Sequence, residues 1–349
     1  MSLTPRLRMP SPILPASERE IAVLRLLGRL HIVMGQTIRV LIYPDQHENT
    51  CRNALHGLAE RKLIWQGSVP LMNEAGRSRG RAPHVYGLTD DGRTLLGTLG
   101  AEPYDGTFGR LLSRSKQAPL PPQATLTSES YLSWWCASLI EHLRCFPLLA
   151  GLHIQHRYPI TDPEGNILQT VGALMSIAFD RDQTTVDRPQ WVIPWLTDGA
   201  LSSSWTIVHL AIELDTGIMS MRSIVDLAQT YRRLTETRIY QQNLGRTNGF
   251  RPVIITPSGH RARAFAEAWM SAWPGSPALV SSVERTAHAD HGVLWGTYFA
   301  LRTNPVQPTS LLGTLLGTIE EWERRMQGVA KQSQQRSKST PAPRGEGSG

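Results

Sequence analysis

Glu213 and Asp215 flank a single apolar residue at the end of the run Val208-His209-Leu210-Ala211-Ile212. In an extended strand, residues two apart point to the same face, so this spacing predicts two carboxylates presented together at a strand end. A third, Asp198, follows another apolar run, Trp191-Val192-Ile193-Pro194-Trp195-Leu196. Three carboxylates converging from neighbouring strands would form an oxygen cage for Mg²⁺, the usual engine of phosphodiester hydrolysis. Such chemistry also calls for a cation, usually lysine, to steady the attacking water or the developing phosphate charge. The chain has four lysines (Lys62, Lys116, Lys331, Lys338), and none lies between residues 117 and 330. Asp198, Glu213 and Asp215 are therefore candidate metal ligands of a site expected to bind metal weakly or not at all.

The elements that must carry these residues form an α/β pattern over 128–330. Ser128-Glu129-Ser130 is expected to cap a helix through Trp134, Trp135, Leu139, Ile140 and Leu143, with Glu141 on it as a possible fourth carboxylate. A strand near Val171–Ile177, the Asp198 and Glu213 runs, a helix from Ser220 to Leu234 with Ile224, Leu227 and Tyr231 inward, a buried strand Arg251–Thr256 and a helix from Gly259 to Trp269 follow. Helix, antiparallel strands, then strand–helix–strand is the order of an α/β sandwich. A simpler reading keeps Glu213 and Asp215 as structural groups held by arginines such as Arg222 or Arg261. The stripe Leu312, Leu315, Leu316, Ile319, Trp322 and Met326 suits a helix closing this domain's core, or alternatively a dimer or partner helix.

The first hundred residues predict a winged helix-turn-helix. Ser17-Glu18-Arg19-Glu20 reads as a capping box opening a helix with Ile21, Leu24, Leu27 and Leu30 on one stripe. A second helix covers Gln36–Ile42, and a third begins near Asn49. On that third helix Cys51, Leu55 and Leu58 pack inward, and Arg52, Asn53 and His56 face outward as a recognition surface. Arg77, Arg79 and Arg81, set among glycines between two strand-like runs, suit a wing that touches phosphates. Winged helices also serve as protein-binding modules, and an arginine-rich loop can be merely solvated.

Charge follows the same division. Residues 1–116 hold 16 Lys/Arg against 10 Asp/Glu, residues 117–330 hold 16 against 18, and the tail 331–349 holds 4 against 1. The footprint expected of a polyanion binder thus lies at the two ends of the chain. Domains are expected at 1–105 (winged helix), 106–127 (proline-rich basic linker), 128–330 (α/β domain) and 331–349 (disordered basic tail). Three cysteines (Cys51, Cys136, Cys145) without a C-x-x-C pair argue for reduced thiols in a cytoplasmic protein. No run is long enough to span a membrane, and Met1–Arg6 has no secretory pattern. His288-Ala289-Asp290-His291 reads as a hydrogen-bonded turn, and Walker A, G-x-G-x-x-G and G-x-S-x-G motifs are absent.

The chain resembles the replication-relaxation family of bacterial and plasmid-borne proteins. The likeness rests on Arg52, Leu55 and Leu58, on Tyr86-Gly87-Leu88-Thr89-Asp90-Asp91-Gly92, and on the later series Pro194, Asp198, Glu213, Asp215 and Tyr231, and covers roughly residues 17 to 270. It implies a restriction-endonuclease-like PD-(D/E)xK fold in the second domain and an association with mobile or plasmid DNA. Family members usually carry a lysine in the helix leading to the tyrosine. Here Asp226, Leu227, Ala228 and Gln229 stand there; Gln229 is the candidate for the lysine's place among the catalytic residues, without its charge.

Three functions fit these features. The first is a DNA-binding protein of a plasmid or mobile element, whose degenerate nuclease-like domain serves as an assembly platform. Its partners would be double-stranded DNA, replication, transposition or conjugation proteins, and a second copy of itself as a homodimer. The second is a Mg²⁺-dependent nicking endonuclease, with Mg²⁺ as its only cofactor. The third is a winged-helix transcription regulator.

Overall fold

A computed structural model describes residues 16–69, 83–99, 123–144, 146, 148–180, 188–196, 204–245, 249–283, 286, 293, 298–301, 307–311 and 314–315. The protein is mixed α/β. Helix α1 (Glu18–Leu30) opens with the expected capping box: Glu20 N–H donates to the Ser17 hydroxyl and Ser17 N–H to the Glu20 carboxylate. Strand β1 (Val33–Met34), α2 (Gly35–Ile42), α3 (Glu48–Glu60), β2 (Ile64–Ser68), β3 (His84–Leu88) and α4 (Asp90–Thr98) follow. The strands form a three-stranded antiparallel sheet in the order β1-β3-β2. Residues 70–82, which contain Arg77, Arg79 and Arg81, lie outside the described residues.

The second half begins with α5 (Gln123–Leu143). The helix starts five residues before Ser128, which is an interior residue donating to the Thr125 carbonyl at 3.2 Å rather than a cap. Leu126 explains the earlier start, because it is buried with Ile32, Val69 and Val85 of the N-terminal half. Then come β4 (Leu149–Thr161), β5 (Ile167–Phe179), β6 (Thr206–Leu214), α6 (Met221–Glu236), α7 (Ile239–Leu244), β7 (Gly249–Thr256), α8 (Gly259–Ala272), β8 (Leu279–Ser282), β9 (Tyr298–Ala300) and β10 (Gln307–Thr309). They build one seven-stranded sheet in the order β10-β9-β8-β7-β6-β5-β4. The β4–β5 and β5–β6 pairs are antiparallel, and β6–β7 and β7–β8 parallel. The Trp191–Leu196 run is not a strand of this sheet. It lies along the free edge of β4, joined by a single parallel bridge between Leu152 and Trp195.

Even-numbered residues of β6 (Val208, Leu210, Ile212) pack on the face covered by α5, in one core that continues into Leu24, Leu27 and Leu30 of α1. Ala211 packs on the other face with Ile224, Ala228 and Tyr231 of α6 and Phe265 and Trp269 of α8. The two halves therefore share a hydrophobic core. Val23 and Leu26 of α1, off the expected stripe, are buried as well, as suits a helix that contacts both its own domain and β4. From the C-terminal segment, Leu311 and Leu315 reach the same core.

Polar contacts close the seam. The Ser133 hydroxyl donates to the Leu30 carbonyl at 2.6 Å, and Arg144 donates to the Leu41 and Val40 carbonyls at 2.7 and 3.2 Å. The last carbonyls of a helix have no partner within it, so Arg144 caps α2 from the other half. Arg144→Met is expected to cost about 2 kcal/mol, since a hydrogen bond to a charged group is worth roughly 1.5–3 kcal/mol. The lowered urea midpoint should come with faster hydrogen exchange in α2; unchanged stability would show the contact to be incidental.

Candidate functional site

Glu213 near the end of β6 and Asp215 just beyond it both meet residues of the α6/α8 side of the sheet, two residues apart as the spacing requires. Each is taken by a different set of protein donors. Glu213 Oε1 accepts from the Tyr231 hydroxyl of α6 at 2.6 Å and from the Gln169 amide of β5 at 3.0 Å. Its Oε2 accepts from the Gly172 backbone N–H at 3.2 Å. Gly172 is a close approach: a Cβ there would stand 2.8 Å from the Ile212 carbonyl oxygen and 3.3 Å from Glu213 Oε2. Burial raises the Glu213 pKa, and the Tyr231, Gln169 and Gly172 donors pull it part of the way back. Burial, followed by the Glu213 charge, pushes the Tyr231 phenol far above its ordinary value. Tyr231 is thus a fixed donor in the core, not a nucleophile.

Asp215, 2% exposed, is an ion-pair acceptor. Arg261 Nε donates to its Oδ2 at 2.6 Å, and the Gly217 N–H donates to its Oδ1 at 2.9 Å. Arg261 lies in the first turn of α8, whose N-cap is Ser258, and a second nitrogen donates to the Met219 carbonyl. One guanidinium so joins the end of β6, the loop after it and α8. The arginine alternative raised by the sequence is realised for Asp215 through Arg261. Arg222 is exposed on α6.

Other expected members stand elsewhere. Gln229 is exposed: it stands two positions before Tyr231, about 200° around the helix at 3.6 residues per turn, so it faces away from Glu213. The lysine's place is not filled by Gln229. Glu141 lies on α5, which covers the opposite face of the sheet from Glu213, and does not join the pair. Asp198 lies outside the described residues; its described neighbour Leu196 accompanies Leu152, at the row of Ile177 and Val208 on the far edge of the sheet. His288–His291 also lie outside the described residues.

Mg²⁺ does not fit the pair as it stands. A hard cation requires several free oxygen ligands, whereas all four oxygens of Glu213 and Asp215 accept from protein donors, one of them a guanidinium. Among the described residues no group of three His, Cys, Asp or Glu side chains is placed to hold a metal.

On α3 the expected outer face is exposed at Arg52, Asn53 and His56, while Cys51, Leu55 and Leu58 are buried. Arg52 pairs with Glu48 at 2.8 Å and His56 with Glu60 at 3.2 Å, both one helical turn apart. These pairs are solvent-exposed and cost little to exchange for another anion. Cys51 and Cys136 are free and buried, and burial pushes the Cys51 thiol up to about 11.

These features define a mixed α/β protein: a helical N-terminal unit with a small sheet, docked on a seven-stranded sheet in which β6 leads into two carboxylates already taken by protein donors. The model of the replication-relaxation family matches residues 24–250, and the chain belongs to that family. Membership carries a role in replication or relaxation of plasmid or mobile-element DNA. No curated protein and no solved structure matches the chain. No described helix is long and apolar enough to cross a membrane.

The raised Glu213 pKa has a sign. The folded carboxyl holds its proton more tightly than the unfolded one, so its contribution to stability is full below the ordinary value of 4.5 and is lost as pH rises through the folded value. Tyr231→Phe removes a donor to the ionised form and should cost about 2 kcal/mol at neutral pH. The loss should shrink as pH drops below the Glu213 pKa. A loss independent of pH would assign Tyr231 to packing alone.

Proposed function

We propose that this protein binds double-stranded DNA of a plasmid or mobile element through its N-terminal winged helix, while the second domain, restriction-endonuclease-like in its element order, serves as an assembly platform rather than a nuclease. The observation that carries this reading is the division of labour in the N-terminal half. α1, α2 and β1 contact α5 and β4, whereas α3 leaves Arg52, Asn53 and His56 exposed. A recognition helix needs that freedom to enter a major groove. The basic excess of residues 1–116 supports the same surface. Partners of the platform are replication, transposition or conjugation proteins, or a second copy of the chain.

Two substitutions sort the contacts. Replacing Arg77, Arg79 and Arg81 together with Ala should weaken binding to all duplexes and reduce the slope of log affinity against log salt by about 3, near one per lost phosphate contact. Arg52→Ala or Asn53→Ala should relax sequence preference more than total affinity. Equal affinity and an equal salt slope in the triple variant would remove the wing from DNA.

The absence of nuclease activity follows from the acceptors already taken. Purified protein should leave supercoiled plasmid uncut with Mg²⁺ or Mn²⁺. Nicking that disappears in Asp215→Ala would replace the platform with an enzyme.

A further inference from the structure

The seam between the two halves holds three histidines. His31, which closes α1, is 6% exposed, and its ring centroid lies 5.0 Å from that of His156 on β4, which is fully buried. His156 Nδ1 is 3.1 Å from Glu129 Oε2 of α5. Glu129 Oε1 accepts from Arg157 at 3.1 Å from Nε and 3.0 Å from Nη2. His156 from β4 and Arg93 from α4 face His31, and Glu129 from α5 with Arg157 from β4 stands behind His156. Glu129 meets one arginine, Arg157, and one imidazole, His156.

The third histidine, His153 of β4, meets α1 directly: Arg29 Nη1 is 2.9 Å from His153 Nδ1. A guanidinium has donors only, so Nδ1 offers its lone pair and the ring is neutral in this contact. His31 is also held neutral. Burial first, then the positive fields of His156 and Arg93, lower its pKa well below the ordinary histidine value. A proton on either ring places a cation against an arginine or another imidazole inside the seam.

We propose that this seam is an acid-labile latch: His31 and His153 must both be neutral for the N-terminal half to stay docked on α5 and β4, and their protonation releases it while each half keeps its fold. In the released state both rings are solvated and take protons below the ordinary pKa of about 6.5. Docking is then at full strength above that value and weakens as pH falls. The docking constant drops about tenfold per pH unit for each histidine that takes up a proton, and up to about a hundredfold for two.

The test uses the full chain. Small-angle scattering from about pH 8 to about pH 5, with circular dichroism on the same samples, should show the radius of gyration rising below the histidine pKa at constant helix content. The double variant His31→Asn, His153→Gln should stay compact at the acid end. Asn tolerates the positive φ of 62° at residue 31, and Gln keeps an acceptor for Arg29. A constant radius in the parent, an identical transition in the double variant, or loss of helix with the expansion would each overturn the proposal. Should the double variant not fold, hydrogen exchange in the parent decides. Corrected for intrinsic rates, amides of α1 and α5 should open about tenfold or more per pH unit below the histidine pKa, ahead of the rest. A uniform increase across the chain would contradict the latch.

Discussion

The ion pair between Asp215 and Arg261 fixes the centre of the molecule, because β6 has neighbours on both edges and helices on both faces and cannot end in a bare charge. A carboxylate that deep needs a partner. Arg261 supplies it and, by also reaching the Met219 carbonyl, sets how the chain leaves β6 for α6. Tyr231 then closes on Glu213 from α6, so the two helices packed on that face are each tied to β6 by one carboxylate. The residues that could have held a cation instead hold the sheet to its helices. Charge at this position is a structural device.

Docking of the N-terminal half follows from a second constraint. A small unit of helices and a three-stranded sheet buries little surface by itself, and α1 adds to that burial by packing residues on more than one side. The docking contacts run through α1, α2, β1, α5 and β4, and α3 keeps Arg52, Asn53 and His56 exposed.

Much of this was legible in the sequence. The capping box at Ser17, the inward set Cys51, Leu55 and Leu58, and the Glu213–Asp215 pair are local patterns, and local spacing determines them. What escaped reading depends on pairing across the chain. Gln169 and Gly172 meet Glu213 only because β5 pairs with β6 in one register, and nothing near them in sequence marks that role. Prolines before Gln123 read as linker, yet Leu126 anchors the helix in the other half's core. The run His153-Ile154-Gln155-His156-Arg157 looks too polar for a buried strand. Its buried members are Ile154 and His156, and Glu129 of α5 meets both His156 and the exposed Arg157. Gln229 failed as a lysine substitute for a periodic reason: the helix turns it away from the face that Tyr231 occupies.

The central claim is that Glu213 and Asp215 are acceptors already satisfied by Tyr231, Gln169, Gly172, Gly217 and Arg261. Mn²⁺ titration followed by the electron paramagnetic resonance signal of the free ion tests this directly. Equimolar protein should leave the free-ion signal unattenuated, and Asp215→Asn should change nothing in the titration. Stoichiometric uptake of Mn²⁺ by the parent, lost in Asp215→Asn, would contradict it.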